Sequence, residues 1–246
     1  MGAFDLGCGL PVFTFGPHQS QSRHSISETF HLFELTRPAV VVCADGIITD
    51  QPEASLFKGA WARIPLKILT TQQVDSALPT WTPLGQIMSG ELAPPDTPDP
   101  HDAKDICMTI FTSGMTSLPK PCEMTSLTCV SAGLGYKEAR QLNSGHKLVQ
   151  HLRNSHSYGI AWSLTFWLAG AAVVLPSAAF EAQASLECFD LFKTTHMSLV
   201  PTTAQANLAH PYFKTADISS LVSVDMSGAG VLPRVIETCG HGRKVP

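Results

Sequence analysis

Charge is scarce in this chain. Lys and Arg number 16 and Asp and Glu 20 among 246 residues, a formal net charge of −4 with no basic cluster. A nucleic-acid partner needs grouped cations to neutralise phosphates, so nucleic acid is excluded as a partner and an anionic membrane surface is disfavoured. Paired metal ligands are lacking too. The seven cysteines, Cys8, Cys43, Cys107, Cys122, Cys129, Cys188 and Cys239, are odd in number, scattered and without a Cys-x-x-Cys pair. The ten histidines show no His-x-x-x-His spacing. Neither a disulfide framework nor a metal site is therefore assigned, and unpaired thiols fit a reducing compartment. The first residues, Met1-Gly-Ala-Phe-Asp-Leu6, carry no basic n-region, and Lys244-Val-Pro246 is not a peroxisomal address. The expected location is the cytoplasm. The longest apolar stretch, Ile160 to Leu175, is broken by Ser163, Thr165 and Gly170 and falls short of the roughly 20 residues that cross a bilayer. It reads as a buried helix followed by a buried strand.

What is present is enough apolar residue, 44% of the chain, for a real core in one large domain or two small ones. Residues 1–30, rich in Gly, Ser, His and Pro, are expected to form a loosely ordered arm ahead of a domain over 31–246. Pro38-Ala-Val-Val-Val-Cys-Ala44 reads as a buried parallel strand. The stretch 76–104, with prolines from Pro79 to Pro100 and Asp96, Asp99 and Asp102, reads as a linker or surface loop. Beyond Asp105 the pattern becomes regular. A strand to Phe111 precedes a loop and a helix near Thr125–Arg140. A helix near Ser163–Ala169 leads to a strand over Ala171–Leu175. Leu186, Phe189 and Phe192 recur at helical spacing before a strand at Met197–Val200. A helix near Thr202–Ala209 precedes a strand at Leu221–Met226, which enters Ser227-Gly-Ala-Gly230 and a further helix. Strands alternating with helices at this spacing predict an α/β fold with a largely parallel sheet.

One turn carries chemistry. Ile110-Phe-Thr-Ser-Gly-Met-Thr-Ser-Leu-Pro-Lys120 joins hydroxyls and glycine to a single cation after a strand. Phosphate oxygens need such a set: backbone and side-chain donors, small residues for close approach, and a positive charge. The turn resembles the Thr-Ser-Gly-Thr-Thr-Gly-x-Pro-Lys-Gly signature of the adenylate-forming, AMP-binding superfamily, of the acyl-CoA synthetase type. Thr112, Ser113, Gly114, Thr116, Pro119 and Lys120 match, whereas Met115, Ser117 and Pro121 depart from it. Further segments follow in the family's order. Glu34 to Val42 is similar to its Lys-Pro-x-Val-Val strand, Asn154-Ser-His-Ser-Tyr-Gly159 to its His-containing segment, and Gly170 to Pro176 to the next strand. Phe192 to Pro201 resembles its Thr-His-x-x-x-Val-Pro stretch, and Asp217 through Ser227-Gly-Ala-Gly-Val-Leu232 its Ser-Gly-Ala region.

The resemblance implies the central part of an adenylating N-terminal domain, truncated at both ends and without the C-terminal domain. It implies that Thr112, Ser113, Gly114, Thr116 and Lys120 hold phosphates, that Ser227, Gly228 and Ala229 lie near adenine, and that His156 borders the acyl group. A second reading makes His156 a buried, hydrogen-bonded histidine without chemistry. His196 reads as structural. Intact relatives use ATP, Mg2+ and coenzyme A to turn a small carboxylic acid into an acyl-adenylate and then an acyl-CoA. No catalytic residue is assigned in this chain, because the family's magnesium-holding Glu and catalytic Lys lie in segments beyond it. A ligase impaired or inactive alone, with a second chain to complement it, is one expectation. An inactive remnant or binding module is the alternative. An association with secondary-metabolite biosynthesis accompanies short diverged members. A remoter alternative is a serine hydrolase of the α/β-hydrolase kind, since Ser155-His-Ser-Tyr-Gly159 is one residue from Gly-x-Ser-x-Gly. That elbow requires a hydrophobic strand before it, and His146 to Arg153 does not read as one. Gly228-Ala-Gly230 fails as a dinucleotide loop, because Pro233 occupies the third glycine position.

Overall fold

The computed structural model describes residues 2–5, 11–15, 31, 34–37, 40–43, 66–69, 81–89, 102–111, 120–177 and 179–230. The chain divides into two compact units, Met1–Leu127 and Thr128–Pro246, each with its own sheet.

The strands of the first unit are β1 (Gly2–Asp5), β2 (Pro11–Phe15), β3 (Val40–Cys43), β4 (Leu66–Leu69), β5 (Thr82–Pro83), β6 (Ile106–Phe111) and β7 (Pro121–Thr125). They lie in the order β5-β4-β3-β2-β1-β6-β7. Neighbours from β2 to β5 run parallel. The other edge is antiparallel, β1 against β2 and β6, and β6 against β7. The Val40-Val-Val run, β-branched and therefore stiff in the extended form, sits where a parallel neighbour flanks it on each side.

Two expectations change here. Residues 1–30 do not form only a loose arm, since β1 and β2 come from them. Each strand is too short to show a period of its own amid Gly and Pro, and pairing with β6 and β3 supplies the order. The proline-rich stretch is not wholly a linker either. Trp81 is buried, β5 forms the sheet edge, and a short helix α1 (Leu84–Met88) follows. Pro83 is tolerated because an edge strand can spare one N–H.

The second unit is the regular one. Helix α2 (Ser126–Ala139), most of which belongs to it, precedes β8 (Lys147–Gln150), α3 (Ser157–Leu168) and β9 (Ala172–Val174). Then come α4 (Ala182–Phe192), β10 (His196–Leu199), α5 (Pro201–Ala209), a 3-10 turn at Pro211–Lys214 and β11 (Ser223–Met226). The sheet order is β11-β10-β8-β9, with every pair parallel. Pro201 ends the extended segment and also opens α5 at its first position, where a missing N–H has no intrahelical partner to lose.

Alternation along β8 divides the core. Leu148 packs on one face with Leu142, Trp162, Phe166, Ala169 and Ala171. Val149 packs on the other with Cys188, Phe189, Met197, Leu199 and Ala204. Each strand therefore feeds two apolar layers, which is why these strands read as continuous runs rather than alternating ones. The apolar stretch from Ile160 resolves into a helix and a strand, α3 and β9, as expected, but β9 is an edge strand with Ala172 exposed and Val173 and Val174 half-buried rather than a buried one. Among the described residues no helix is long and apolar enough to cross a membrane.

Phe166 has no exposed surface. Phe166→Ala is expected to lower the unfolding free energy by about 3–5 kcal/mol, read from the urea midpoint at constant m. A loss under about 1 kcal/mol would show that α3 does not carry this core layer.

Candidate functional site

The hydroxyl-rich turn over 112–119 lies outside the described residues, and with it Thr112, Ser113, Gly114 and Thr116. Its flanks are described. Phe111 pairs with Pro121 across β6 and β7, so the turn closes an antiparallel hairpin with both ends held by the sheet. Met108 and Ile110 anchor β6 by burial, while Lys120 is exposed at the foot of β7. Pro121 opens an edge strand, where the N–H it lacks costs the ladder little. Sequence patterning missed β7 because Pro-Cys-Glu-Met-Thr is exposed over its first half and carries no apolar alternation.

In the second unit the chain runs from β8 to β9 on one side, then returns across β8 to β10. That reversal is a topological switch point, and open parallel sheets bind ligands outside the carboxyl ends of their strands there. Three segments leave these ends: 151–156 after β8, Val200 after β10, and Ser227–Gly230 after β11.

Gln150, 2% exposed, fastens the first of them. Its Nε2 donates to the Gly159 carbonyl at 2.8 Å and to Ser163 Oγ at 3.3 Å. Its Oε1 accepts from Ser198 Oγ at 2.7 Å and from the Leu152 amide at 3.0 Å. Ser163 Oγ donates in turn to Asn154 Oδ1 at 2.9 Å. Every member of this buried network has a partner, the condition under which such a network rigidifies rather than weakens a core.

His156 is the N-cap of α3. Its Nδ1 accepts from the Tyr158 amide at 3.1 Å, so the neutral ring carries its proton on Nε2. The side chain is exposed, which corrects the reading of a buried histidine. Gly159 explains its own identity: a Cβ there would stand 2.1 Å from the Arg153 carbonyl oxygen. Tyr158 Oη donates to the Asp225 carbonyl at 3.0 Å, tying the His156 segment to the strand that ends in Ser227. Burial, helped by the Asp225 charge, pushes the Tyr158 phenol up to about 12, so it stays a donor. Burial also raises the Asp225 carboxyl against the pull of Arg140, whose Nη2 lies 2.5 Å from Asp225 Oδ1. The Arg140 guanidinium stands 5.6 Å from the Trp162 ring centre.

Ser227, Gly228 and Ala229 are exposed. The Ser227 amide donates to the Leu199 carbonyl at 3.3 Å. Gly228 has φ of +87°, and a Cβ on it would meet Val200 Cγ1 at 3.3 Å. Its glycine is thus required by conformation. Through Tyr158, the second unit ties the segment that holds His156 to β11, whose exit carries Ser227–Ala229. Gln150 and Tyr158 were missed by sequence reasoning. A polar residue ending a strand at the carboxyl edge was the available signal for Gln150.

His196, read as structural, is 4% exposed, with its ring centre 5.2 Å from that of Phe166. Burial lowers it to about 4, with His146 and Arg140 adding to the effect. Burial alone takes His151 to about 4.

A strand, β8, does precede Ser155–Gly159, contrary to the sequence reading. The hydrolase elbow is still absent. Residues 151–156 separate β8 from α3, and none of residues 151–157 has a positive φ, so no sharp strand-to-helix turn presents Ser157. Among the described residues no three His, Cys, Asp or Glu side chains are grouped to hold a metal.

The sequence profile of the AMP-binding enzyme family matches residues 20–239. That match covers most of the chain, and the α/β architecture with its parallel sheet agrees with it; the chain belongs to the AMP-binding enzyme family. An acyl-CoA ligase of Pestalotiopsis microspora is 26% identical over 216 residues, covering 85% of this chain and 36% of that protein. A feruloyl-CoA synthase of an Amycolatopsis species is 31% identical over 150 residues, 61% of this chain and 30% of that one. The chain thus spans about a third of the length of these curated relatives. The luciferase-like enzyme of the Zophobas morio mealworm shares the fold, with a TM-score of 0.75 at 15% identity over 94% of this chain and 56% of that one.

Gly159→Ala forces a Cβ against a backbone carbonyl and is expected to cost about 1–3 kcal/mol; an unchanged urea midpoint would refute the close approach. Half-buried His151 and buried His196 set an acid limit. Their folded values near 4 lie below the ordinary 6.5, so the unfolded chain binds more protons between these pH values and stability rises with pH across that window. Urea midpoints are expected to be level above pH 6.5 and to fall from there towards pH 4. The fall is shallower in His196→Gln.

Proposed function

We propose that this chain is the phosphate- and adenine-binding portion of an acyl-CoA ligase. The reaction it serves joins a small carboxylic acid to ATP, forming an acyl-adenylate and releasing pyrophosphate, and then passes the acyl group to coenzyme A. The observation that carries this reading is the Tyr158 Oη bond to the Asp225 carbonyl at 3.0 Å. It joins, within one unit, the segment that the motifs assign to the acyl group and the segment that they assign to adenine.

The roles follow from chemistry. Thr112, Ser113, Gly114 and Thr116 supply donors for phosphate oxygens and Lys120 a cation, on a turn whose base β6 and β7 hold. Ser227, Gly228 and Ala229 offer exposed backbone at the carboxyl edge for the flat face of adenine. His156, with Nε2–H directed outward from its cap, is suited to donate to an acyl oxygen. Cys107, Cys122, Cys129 and Cys188 form no disulfide, which supports the cytoplasm as the location. Similarity to a peptide synthetase of Aspergillus fumigatus, 26% identical over 186 residues, supports a place in secondary metabolism.

A second reading, a nucleotide-binding module without ligase activity, is favoured by Met115 and Ser117, which replace a hydroxyl and a glycine of the family signature in the 112–119 turn. Acid-dependent exchange of labelled pyrophosphate into ATP, run over a panel of fatty and aryl acids, separates the two. Exchange above background supports the ligase; ATP binding without exchange supports the module. A complementing chain carrying the remaining length of a ligase is expected to raise the exchange. Lys120→Ala removes a charge-assisted bond of about 1.5–3 kcal/mol, so ATP affinity by calorimetry is expected to fall at least about tenfold. Equal affinities in the two proteins would remove the phosphate turn from the reading.

A further inference from the structure

The second unit holds a cavity of about 70 Å³ on the face of its sheet opposite α3. Its inner wall is Leu186, Phe189, Met197, Leu199 and Ala204, all buried. Half-buried Phe213, Ile218 and Leu221 stand at its rim. One polar side chain lines it. Asn207 on α5 is 4% exposed. Its Nδ2 donates to Met197 Sδ at 3.6 Å, the orientation chemistry requires, because a thioether sulfur only accepts. The amide oxygen is then turned away from Met197, and Oδ1 has no hydrogen-bond partner among the described residues.

That arrangement suits neither an empty void nor water. A dry cavity persists when its wall is apolar, whereas a buried water needs two to four polar partners. Among the described lining side chains, the one acceptor left without a donor is Asn207 Oδ1. The volume is about five times the roughly 10–15 Å³ that a cavity needs to hold one water, which leaves room for a few carbon atoms. A molecule with an apolar body and one hydroxyl satisfies both demands: the hydroxyl donates to Asn207 Oδ1, and the body replaces solvent against Leu186, Phe189 and Leu199.

We propose that this cavity is a binding site for a small aliphatic alcohol, with Asn207 as the residue that recognises its hydroxyl. The site is separate from the carboxyl-edge crevice and independent of the ligase reading. It faces α4 and α5, whereas His156 and Tyr158 belong to α3.

The test uses the whole chain labelled with 13C at its methionine methyl groups, the Met197 signal being assigned from Met197→Leu. Titration with 2-methylpropan-1-ol is expected to shift the Met197 methyl saturably and leave Met88 unmoved. Its hydrocarbon counterpart, 2-methylbutane, is expected to bind at least tenfold more weakly. Asn207→Leu is expected to abolish that preference. Ala204→Val, which fills the cavity with one small side chain, is expected to abolish binding while the remaining methionine signals keep their positions. No saturable shift, equal affinity for alcohol and hydrocarbon, or a preference that survives in Asn207→Leu would each overturn the proposal. Should Asn207→Leu fail to fold, the alcohol-to-hydrocarbon ratio in the unaltered chain decides it.

Discussion

The geometry of the second unit depends on one buried amide. Gln150 ends β8 at the switch point and spends its whole hydrogen-bonding capacity on four partners drawn from β10, α3 and the chain just after β8. A group so placed cannot be lost cheaply, since each partner would then be buried without a replacement. Nor can it be misoriented: its carbonyl side meets two donors and its amino side two acceptors. The start of α3 is thereby fixed relative to the strand ends, and with it the direction in which His156 faces solvent.

Glycine completes the arrangement by absence of bulk. Gly159 lets α3 begin against the Arg153 carbonyl, and Gly228 lets the chain turn out of β11 beside Val200 with φ of +87°. One is demanded by close approach and the other by backbone conformation. Both belong to segments that the family motif marks, and both have a packing reason that needs no ligand. Motif residues at this edge therefore divide into those whose identity packing or backbone conformation explains, Tyr158, Gly159 and Gly228, and those that are exposed without such a reason, His156, Ser227 and Ala229.

Much of this was readable in advance. Leu186, Phe189 and Phe192 announced α4 by spacing, and the run into Pro201 announced β10. The order of the motifs pointed to the family. The strands that escaped, β1, β2, β4, β5, β7 and β8, share a cause. They are two to five residues long and flanked or interrupted by Gly, Pro, Lys or Gln, so no period of two can emerge. β8 lies at the centre of its sheet nonetheless, because neighbours on both sides supply the ladder.

What the sequence by itself determined is the inventory: an α/β alternation, a hydroxyl- and glycine-rich turn, a Ser-Gly-Ala segment, and a low charge content without a basic cluster. These are local or compositional properties, set by side-chain chemistry and short-range spacing. Only the tertiary structure decided that His156 caps a helix at the surface, that His196 lies against Phe166, and that Tyr158 reaches the carbonyl of Asp225 across 67 residues of chain. Such contacts depend on which strands become neighbours, and strand order is settled by burying both faces of the whole sheet at once rather than by any segment alone.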